Sequence, residues 1–398
     1  MSRNSPNSFL LRGARIVAPD RAIEAGAILI ESDRIAAVYD LERTSPAESD
    51  SAIDLEGLTL FPGFIDVHIH GAVGIDTMQS NAGELARVSE FLLSQGVTAW
   101  LPTLVPAKDE QYHDSVSAIE KAMLDAAGSG PESAPFSRIL GVHYEGPFVN
   151  HEQCGALHRE HFRTFKTAAD LDALPRIHNQ DAVHMMTVAP EIDGGIELVK
   201  ELQQRGWVIS IGHTRAPVPV LDQALQAGAR HLTHFMNAMP PLHHRSPGPV
   251  GWGLTHDEVT CDVIADGVHL DPSILKLILR SKSPEHVSLI SDAIAATGLG
   301  DGEFHIWGER IRVEHGRTQN DRGSIAGSVI TMLDAVRMML SLNFSEVEVA
   351  RMASLNPARL LGVAGDCGSI EAGKRADLAA LDQDGNVRLT IVGGRTAS

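Results

Sequence analysis

The feature that most constrains the fold is a regular alternation of short apolar segments with helical segments through the middle of the chain. Short, mostly apolar strands that alternate with helices are typical of parallel sheets, whose crossover connections are helices. The candidate strands begin near Phe64, Val97, Ile139, His184, Trp207, Arg230, Thr260 and His286. Eight such units over roughly 230 residues predict a closed (β/α)8 barrel.

The segments between these strands carry the periodicity of helices with one buried face. Residues with this spacing are Leu85, Val88, Phe91 and Leu92 over 84–95, and Ile196, Val199 and Leu202 over 194–205. The alternative architecture is an open, doubly wound parallel sheet. No Gly-x-Gly-x-x-Gly follows the first strand, which weakens the nucleotide-binding version of that alternative.

Both ends of the chain are rich in strand candidates separated by turn residues. These are Phe9–Val17, Ala27–Ile30 and Arg34–Val38 towards the N-terminus, and Ala376–Leu381 and Val387–Val392 towards the C-terminus. We therefore predict a small β domain built from residues 1–60 and 369–398, with the barrel occupying residues 61–368.

Composition excludes several classes of protein. The formal net charge of −18 argues against nucleic acid or an anionic membrane as the main partner, although a local arginine can still bind an anionic small molecule. Cys154, Cys261 and Cys367 are odd in number and far apart, so we expect neither a disulfide framework nor a cysteine zinc site. The N-terminus lacks a signal-type apolar region, and no apolar run reaches about 18 residues, so we expect a cytoplasmic globular protein.

Side chains that bind metals stand at the ends of the predicted barrel strands. His68 and His70 end the first strand and point to the same side, because strand side chains alternate. Barrel enzymes place their chemistry at the C-terminal ends of the strands. The later strands end in Glu145, His213, His234, Asp266 with His269, and Asp292. Neutral imidazoles with a carboxylate are the ligand set expected for zinc or another first-row divalent ion.

Each of these residues alone has an ordinary structural explanation. A single strand-end histidine is more often hydrogen-bonded than metal-bound, Asp292 could cap a helix, and Glu145 could be a turn acid. The recurrence at five strands of one barrel is what indicates a metal site. His143 and Asp66 share strand faces with the candidate ligands, and we expect them to support those ligands or to pack in the core.

Asp292 is also a candidate for proton transfer. A carboxylate beside a metal-bound water can take the proton of that water and return it to a leaving group. Such general acid–base catalysis typically contributes about 10²–10⁴ in rate. The metal itself lowers the pKa of the water from 15.7 toward about 7.

Motifs along nearly the whole chain resemble the amidohydrolase superfamily, and within it the family of N-acetylglucosamine-6-phosphate deacetylases. The motifs are PGFIDVHIHG at 62–71, HYEGPF at 143–148, GHT at 212–214, THFMNAMPPLHHR at 233–245, ADGVH at 265–269, SDA at 291–293, IAGS at 325–328, NPAR at 356–359 and GSIEAGKRADLAALD at 368–382. The His-x-His pair is typical of the whole superfamily. The combination of EGPF, NAM with a downstream arginine, and DGxH is much more specific to the deacetylases.

The resemblance implies a (β/α)8 barrel flanked by a small β-sandwich built from both termini. It implies Asp292 as the proton donor and acceptor, and one or two divalent ions per chain, with zinc first and iron, cobalt or manganese as alternatives. The implied ligands are Glu145, His213 and His234, with His68 and His70 available for a second ion that Glu145 would bridge.

For the substrate, the resemblance implies a phosphorylated amino sugar held by several loops. Arg245 would bind the phosphate, reaching in from a neighbouring subunit of a homodimer, and His269 would contact the sugar with Asp266 nearby. The remaining contacts would come from Ala156, Asn237, Ala238, Ile325, Ala326 and Gly327. One departure is Leu157, where the family often has a histidine that helps to bind substrate. Either His158, the next residue, restores this contact by a one-residue shift, or recognition of the sugar differs.

The implied reaction is hydrolysis of N-acetylglucosamine 6-phosphate to glucosamine 6-phosphate and acetate. A related amidohydrolase acting on N-acetylgalactosamine 6-phosphate, an N-acyl amino acid or a cyclic amide is the first alternative. The second is a non-catalytic scaffold of the same fold, which the presence of every expected ligand and of the acid disfavours.

Overall fold

The computed structural model describes residues 8–47, 49, 51–128, 130 and 134–397. In the described residues, strands and helices alternate through the middle of the chain. The strands are β1 (Ser8–Val17), β2 (Ala22–Glu31), β3 (Arg34–Asp40), β4 (Ser51–Asp54), β5 (Thr59–Pro62), β6 (Phe64–Ile69), β7 (Gly71–Ala72), β8 (Ile75–Asp76), β9 (Val97–Leu104), β10 (Arg138–Ile139), β11 (Gly141–Glu145), β12 (Val183–Val188), β13 (Val208–Ile211), β14 (His231–Leu232), β15 (Thr260–Ile264), β16 (Val287–Ile290), β17 (Gly302–Ile306), β18 (Glu309–Glu314), β19 (Arg317–Asn320), β20 (Leu378–Leu381), β21 (Val387–Val392) and β22 (Arg395–Ala397).

The helices pack mainly around the outside of the strands and contribute apolar faces to the largest hydrophobic core. They are α1 (Ala82–Ser94), α2 (Asp109–Gly128), α3 (Ala168–Asp172), α4 (Gly195–Gln204), α5 (Val218–Gln226), α6 (Gly248–Thr255), α7 (Pro272–Lys282), α8 (Met332–Ser341), α9 (Glu346–Ala350) and α10 (Asn356–Leu360). Helix α1 shows why these segments are helical. Asn81 and Glu84 form a capping box at its start, and Leu85, Val88 and Leu92 are buried, as the periodicity predicts.

The barrel is a parallel sheet in the order β6-β9-β11-β12-β13-β14-β15-β16. It closes because the ends of β16 and β6 meet. The N–H of His70 donates to the carbonyl of Ala293 at 2.7 Å, and the N–H of Asp292 donates to the carbonyl of His68 at 2.9 Å. The predicted (β/α)8 barrel is confirmed, and the open-sheet alternative is wrong because the two edges are joined.

Strands from both ends of the chain form one mixed sheet, in the order β22-β21-β20-β5-β1-β2-β3, with β4 beside β1. Strand β20 pairs antiparallel with β5, which leads directly into β6 of the barrel. The sheet buries a core of its own that includes Leu11, Ile28 and Ile391. The small β domain built from both ends is thus present, although residues 1–7 of its first predicted segment lie outside the described residues.

A third sheet, β17-β18-β19, follows β16 and has no counterpart among the predicted elements. Trp307 and Gly308 form the two-residue turn between β17 and β18, with φ of 54° and 77°. One face of this sheet packs on Ile294 and Ala326, so it rests on loops at the C-terminal end of the barrel. Over the residues the structure describes, no helix is both long enough and apolar enough to cross a membrane.

A buried carboxylate links the barrel to the mixed sheet. Asp377 lies 2.9 Å from Nη2 of Arg138 on β10 and 3.5 Å from Nε of Arg375. It also accepts the N–H of Gly393 at 2.8 Å. Only 3% of its side chain is exposed, so its charge is compensated by these partners rather than by water.

We predict that Asp377→Asn destabilises the protein by about 3 kcal/mol, because it leaves two guanidinium groups without their shared buried partner. Urea unfolding followed by circular dichroism would measure this difference in the free energy of unfolding. Asp384→Asn, in an exposed turn of the same region, is the matched control and should change stability by less than about 0.5 kcal/mol. Equal effects of the two substitutions would contradict a structural role for the ion pair.

Candidate metal centre

Four imidazoles surround one buried carboxylate at the C-terminal end of the barrel. Glu145 is the last residue of β11, and its Oε1 lies 3.0 Å from Nε2 of both His213 and His234. His68 Nε2 lies 3.4 Å from Oε1, and His70 Nε2 lies 3.4 Å from Oε2. The structure therefore brings together all five residues that the sequence predicts as metal ligands.

The spacing of the nitrogen atoms fits ligands that share an ion. The Nε2 atoms of His213 and His234 are 3.1 Å apart, and those of His68 and His70 are 3.2 Å apart. Ligands at about 2.1 Å from a tetrahedral ion lie about 3.4 Å from one another, close to these values.

A hydrogen bond on the far side of the His213 ring fixes which of its nitrogen atoms can bind a metal. Nδ1 of His213 lies 2.8 Å from the carbonyl oxygen of Gln153, so Nδ1 carries the proton and donates it. In the neutral ring, Nε2 then presents a lone pair toward the carboxylate of Glu145. Two atoms that each present a lone pair repel each other at this distance unless a cation lies between them. This set of ligand atoms therefore fits a divalent metal.

The ligands fall into two groups that share Glu145. One group is His68, His70 and Glu145, and the other is Glu145, His213 and His234. The ligand atoms within each group all lie within 4.8 Å of one another, and all five residues are buried. This arrangement can accommodate one ion, or two ions with Glu145 as the shared ligand.

Two of the candidate metal ligands and the candidate proton carrier have left-handed backbone conformations. His213, His234 and Asp292 have φ of 47°, 29° and 51°, and each lies two residues beyond the end of its strand. Such conformations cost about 1–3 kcal/mol each in non-glycine residues and persist where surrounding contacts hold them. Because all three residues lie at the ligand cluster, we infer that the strained conformations serve to direct their side chains into the site.

Asp292 lies beside the cluster, with Oδ1 at 3.5 Å from Nε2 of His68 and 3.3 Å from Nε2 of His70. Burial tends to raise the pKa of this carboxyl, but the two histidines outweigh burial and hold the pKa below its usual range. Asp292 can therefore accept a proton at neutral pH. The helix-capping alternative is wrong, because no helix begins between Asp292 and Met332 in the described residues.

His143 and Asp66 support the cluster from inside the barrel, as predicted from their strand faces. His143 Nε2 lies 2.8 Å from Oγ1 of Thr187, and burial followed by the nearby His68 lowers the pKa of its ring far below the usual value. Asp66 accepts the hydroxyl of Ser291 at 2.5 Å, and burial raises the pKa of this carboxyl to about 6.

Asp262 is a supporting residue that the sequence interpretation missed. It is fully buried on β15, lies 2.9 Å from Nε2 of His231, and accepts the backbone N–H of His234. It therefore helps to hold His234 in its strained conformation. The available signal was an acid inside an otherwise apolar strand, Thr-Cys-Asp-Val-Ile.

Two predicted substrate loops meet beside His213. A Cβ at Gly155 would lie 3.5 Å from Cε1 of His213 and 4.0 Å from Cβ of Ala238, so the backbone leading into Ala156 approaches both. The N–H of Asn237 donates to the carbonyl of His234 at 2.8 Å, which ties this loop to a candidate ligand.

The loop of Ile325, Ala326 and Gly327 contacts Asp292. A Cβ at Gly327 would lie 2.8 Å from the carbonyl oxygen of Asp292, and the N–H of Ser328 donates to that same oxygen at 2.7 Å. Gly327 also has φ of 56°, so glycine is required on both grounds. Ala326 is buried against the third sheet, while Ile325 is half-buried.

Asp266 and His269 form a close pair, with Oδ2 and Nδ1 2.6 Å apart and little side-chain exposure. Arg245, by contrast, lies on the exposed segment 241–247. Leu157 is buried in the main apolar core and offers no polar contact. His158, the residue after it, pairs with Glu160 at 3.2 Å.

Comparisons with known proteins give a consistent result. Residues 59–397 match the family described as the amidohydrolase family. The chain is 33% identical over 401 residues to N-acetylglucosamine-6-phosphate deacetylase of Bacillus subtilis, covering 98% of this chain and 97% of that protein. It is 33% identical over 392 residues to N-acetylgalactosamine-6-phosphate deacetylase of Escherichia coli O157:H7, covering 98% and 100%. A solved structure of a Mycobacterium smegmatis N-acetyl-D-glucosamine-6-phosphate deacetylase variant, in complex with N-acetyl-D-glucosamine-6-phosphate, is similar with a TM-score of 0.87 and 31% identity, covering 98% and 99%.

We predict that Glu145→Gln weakens metal binding by at least about 10-fold, since loss of even an outer-shell partner of a ligand costs 10–100-fold. Elemental analysis of protein purified without added metal would give the ions per chain. Glu160→Gln is the control. Glu160 is exposed in the short 3-10 helix Arg159–His161, and this variant should bind metal like the wild type. Normal metal content in Glu145→Gln would contradict the ligand assignment.

Proposed function

Because this chain belongs to the amidohydrolase family, we propose that it hydrolyses the N-acetyl group of N-acetylglucosamine 6-phosphate, giving glucosamine 6-phosphate and acetate. The resemblance to this family predicted from the motifs is confirmed by the family match and by the relatives. The observation that carries the proposal is the buried Glu145 among four imidazoles, with a second carboxylate, Asp292, 3.3–3.5 Å from two of them.

Glu145, His213 and His234 would hold the first divalent metal, and His68 and His70 with Glu145 would hold a second. We assign zinc, because imidazole and carboxylate ligands suit it, with iron, cobalt and manganese as the other candidates. When bound, the metal supplies Lewis-acid polarisation of the amide carbonyl and a lowered pKa for an attacking water.

Asp292 carries the proton in the proposed reaction. Its carboxylate takes a proton from the attacking water as the new carbon–oxygen bond forms at the acetyl carbon. It then gives that proton to the amide nitrogen as the carbon–nitrogen bond breaks, so that acetate and the free amine leave. The lowered pKa of Asp292 leaves the group ionised and able to act as the base in the first step.

Recognition of the sugar phosphate is assigned to the loops around the site. Asn237 and Ala238 would contact the sugar through the backbone, and the paired Asp266 and His269 would contact it through side chains. Arg245 would bind the phosphate, because its planar fork matches phosphate oxygens. Since Arg245 is exposed in one chain, we propose that it completes the site of a second subunit in a homodimer.

The second candidate substrate is N-acetylgalactosamine 6-phosphate. The relative from Escherichia coli O157:H7 that is named for this sugar is 33% identical, the same value as the Bacillus subtilis relative. Leu157 bears on the choice of sugar, because its buried apolar side chain cannot make the polar contact that a histidine at this position would make.

The cysteines Cys154, Cys261 and Cys367 are free and buried, which supports the proposed location in the reducing cytoplasm.

The direct test is acetate release from the two epimeric sugar phosphates, measured on protein of known metal content. We expect chelator-sensitive release with N-acetylglucosamine 6-phosphate as the better substrate. A preference for N-acetylgalactosamine 6-phosphate would make that sugar the assigned substrate. Bound metal without acetate release from either sugar would contradict the proposal.

We predict that Asp292→Asn lowers kcat by at least about 10²-fold while metal content stays at the wild-type level, because a side-chain amide at this position cannot carry the proton. Steady-state acetate release and elemental analysis would be measured on the same samples. Asp271→Asn, an exposed helix cap after β15, is the matched control and should keep normal kcat. Near-normal kcat in Asp292→Asn would show that another group moves the proton.

We predict that Arg245→Ala raises KM for the phosphorylated sugar by about 10-fold or more, since a charge-assisted contact contributes about 1.5–3 kcal/mol. KM should change little for the unphosphorylated N-acetyl sugar. His244→Ala, the exposed neighbour, is the control. An equal loss on both sugars would argue against a phosphate contact.

A further inference from the structure

We propose that Trp307 limits the length of the acyl group that this site accepts. The inference rests on the proposed function, and it extends that function by assigning the acyl side of the pocket. It is drawn from the position of the turn between β17 and β18, which no sequence motif indicated.

The turn places an aromatic side chain against a candidate metal ligand. The ring centroids of Trp307 and His70 are 5.1 Å apart, with an interplanar angle of 82°, so one ring meets the other edge-on. His70 directs Nε2 toward Glu145 and Asp292. A small group bound beside this nitrogen therefore lies close to the indole.

The backbone at Trp307 is unfavourable for a bulky residue. Trp307 and Gly308 both have positive φ, which is the pattern of a type I′ turn. Asn, Asp and Gly are preferred in such turns, whereas a large side chain with positive φ is strained. The indole packs against the main core and against the apolar cluster under the third sheet, and its ring also meets His70.

The topology places Trp307 at the junction of β16 and β6, next to the loops after β14 and β15 that we assign to the sugar. Asn237 follows β14 and His269 follows β15, whereas Trp307 follows β16 and lies beside His70 after β6. A trans amide directs its acyl chain and its nitrogen substituent away from each other. We place the sugar at the β14 and β15 loops and the acyl chain beside His70, where it meets the indole.

Most neighbours of the turn are apolar side chains, and the buried carboxyl of Asp76 also lies close to the indole. Trp307 packs in one cluster with Ile294, Ala326 and Ile306, which joins the β17-β18 turn to the loops that follow β16 and β19. Ile294 and Ala326 are fully buried. The methyl group of an acetyl needs little room, whereas each further methylene must displace the indole from this packed cluster.

Trp307→Gly is the sharpest test, because glycine suits the turn and so the hairpin is retained. kcat/KM would be measured for the N-acetyl, N-propionyl and N-butyryl forms of glucosamine 6-phosphate. We expect the propionyl-to-acetyl ratio to rise by about 10-fold or more, since one methylene in a tight pocket is discriminated by about 10–200-fold. Trp307→Phe should give an intermediate ratio.

Phe304→Ala is the control for general loosening of the hairpin. Phe304 lies on β17 and packs on the same apolar cluster, whereas the ring that meets His70 is that of Trp307. Loss of Phe304 should therefore loosen the hairpin and leave the ratio unchanged. Metal content is measured for every variant. Loss of metal in Trp307→Gly, with an equal fall in rate for all three acyl groups, would overturn the proposal and assign Trp307 to positioning His70.

The outcomes separate this inference from the proposed function. Intact acetate release by the wild type with an unchanged propionyl-to-acetyl ratio in Trp307→Gly overturns the inference alone. Wild-type protein that binds metal and releases no acetate overturns the proposed function, and the inference with it. A raised ratio in Trp307→Gly with normal metal content supports both.

Discussion

The burial of the Glu145 carboxylate among four imidazoles is the constraint on which the rest of the structure depends. A buried charge is stable only when oppositely charged or hydrogen-bonding groups surround it. Here those groups come from different strands, so their ends must converge on one point. A closed parallel barrel achieves this, and its closure runs through His70 and Asp292 themselves. The fold and the site are therefore held together by some of the same hydrogen bonds.

The backbone at the site is held in place by the groups behind it. His213 and His234 have left-handed φ values, and the contacts of Gln153 and Asp262 fix the ring of the first and the N–H of the second. Gly327 approaches the carbonyl of Asp292 too closely for any side chain. Rigid supports of this kind set the direction of each side chain before any ligand binds, which is what catalysis by a fixed arrangement of groups requires.

The sequence was sufficient for the barrel and the ligand cluster because both follow from simple geometry. Parallel strands that alternate with helices have all their carboxyl ends on one face, so residues such as Glu145 and His213 had to meet. The third sheet, residues 302–320, was missed because its turn is Trp307-Gly308 rather than Asn-Gly. The exposure of Arg245 agrees with the expectation that it reaches a neighbouring subunit, and its role stays a prediction. The domain boundaries and the roles of the substrate loops stay predictions.

The pairing of β20 with β5 has a consequence for how the protein is made. Strand β5 leads into the first barrel strand, yet its partner is formed by residues 378–381. During synthesis, the segment that begins the barrel therefore emerges from the ribosome long before the strand that covers its edge. Pairings between such distant parts of a chain form slowly, and uncovered strand edges favour aggregation. The edge of β5 thus stays uncovered in the nascent chain until residues 378–381 have been synthesised.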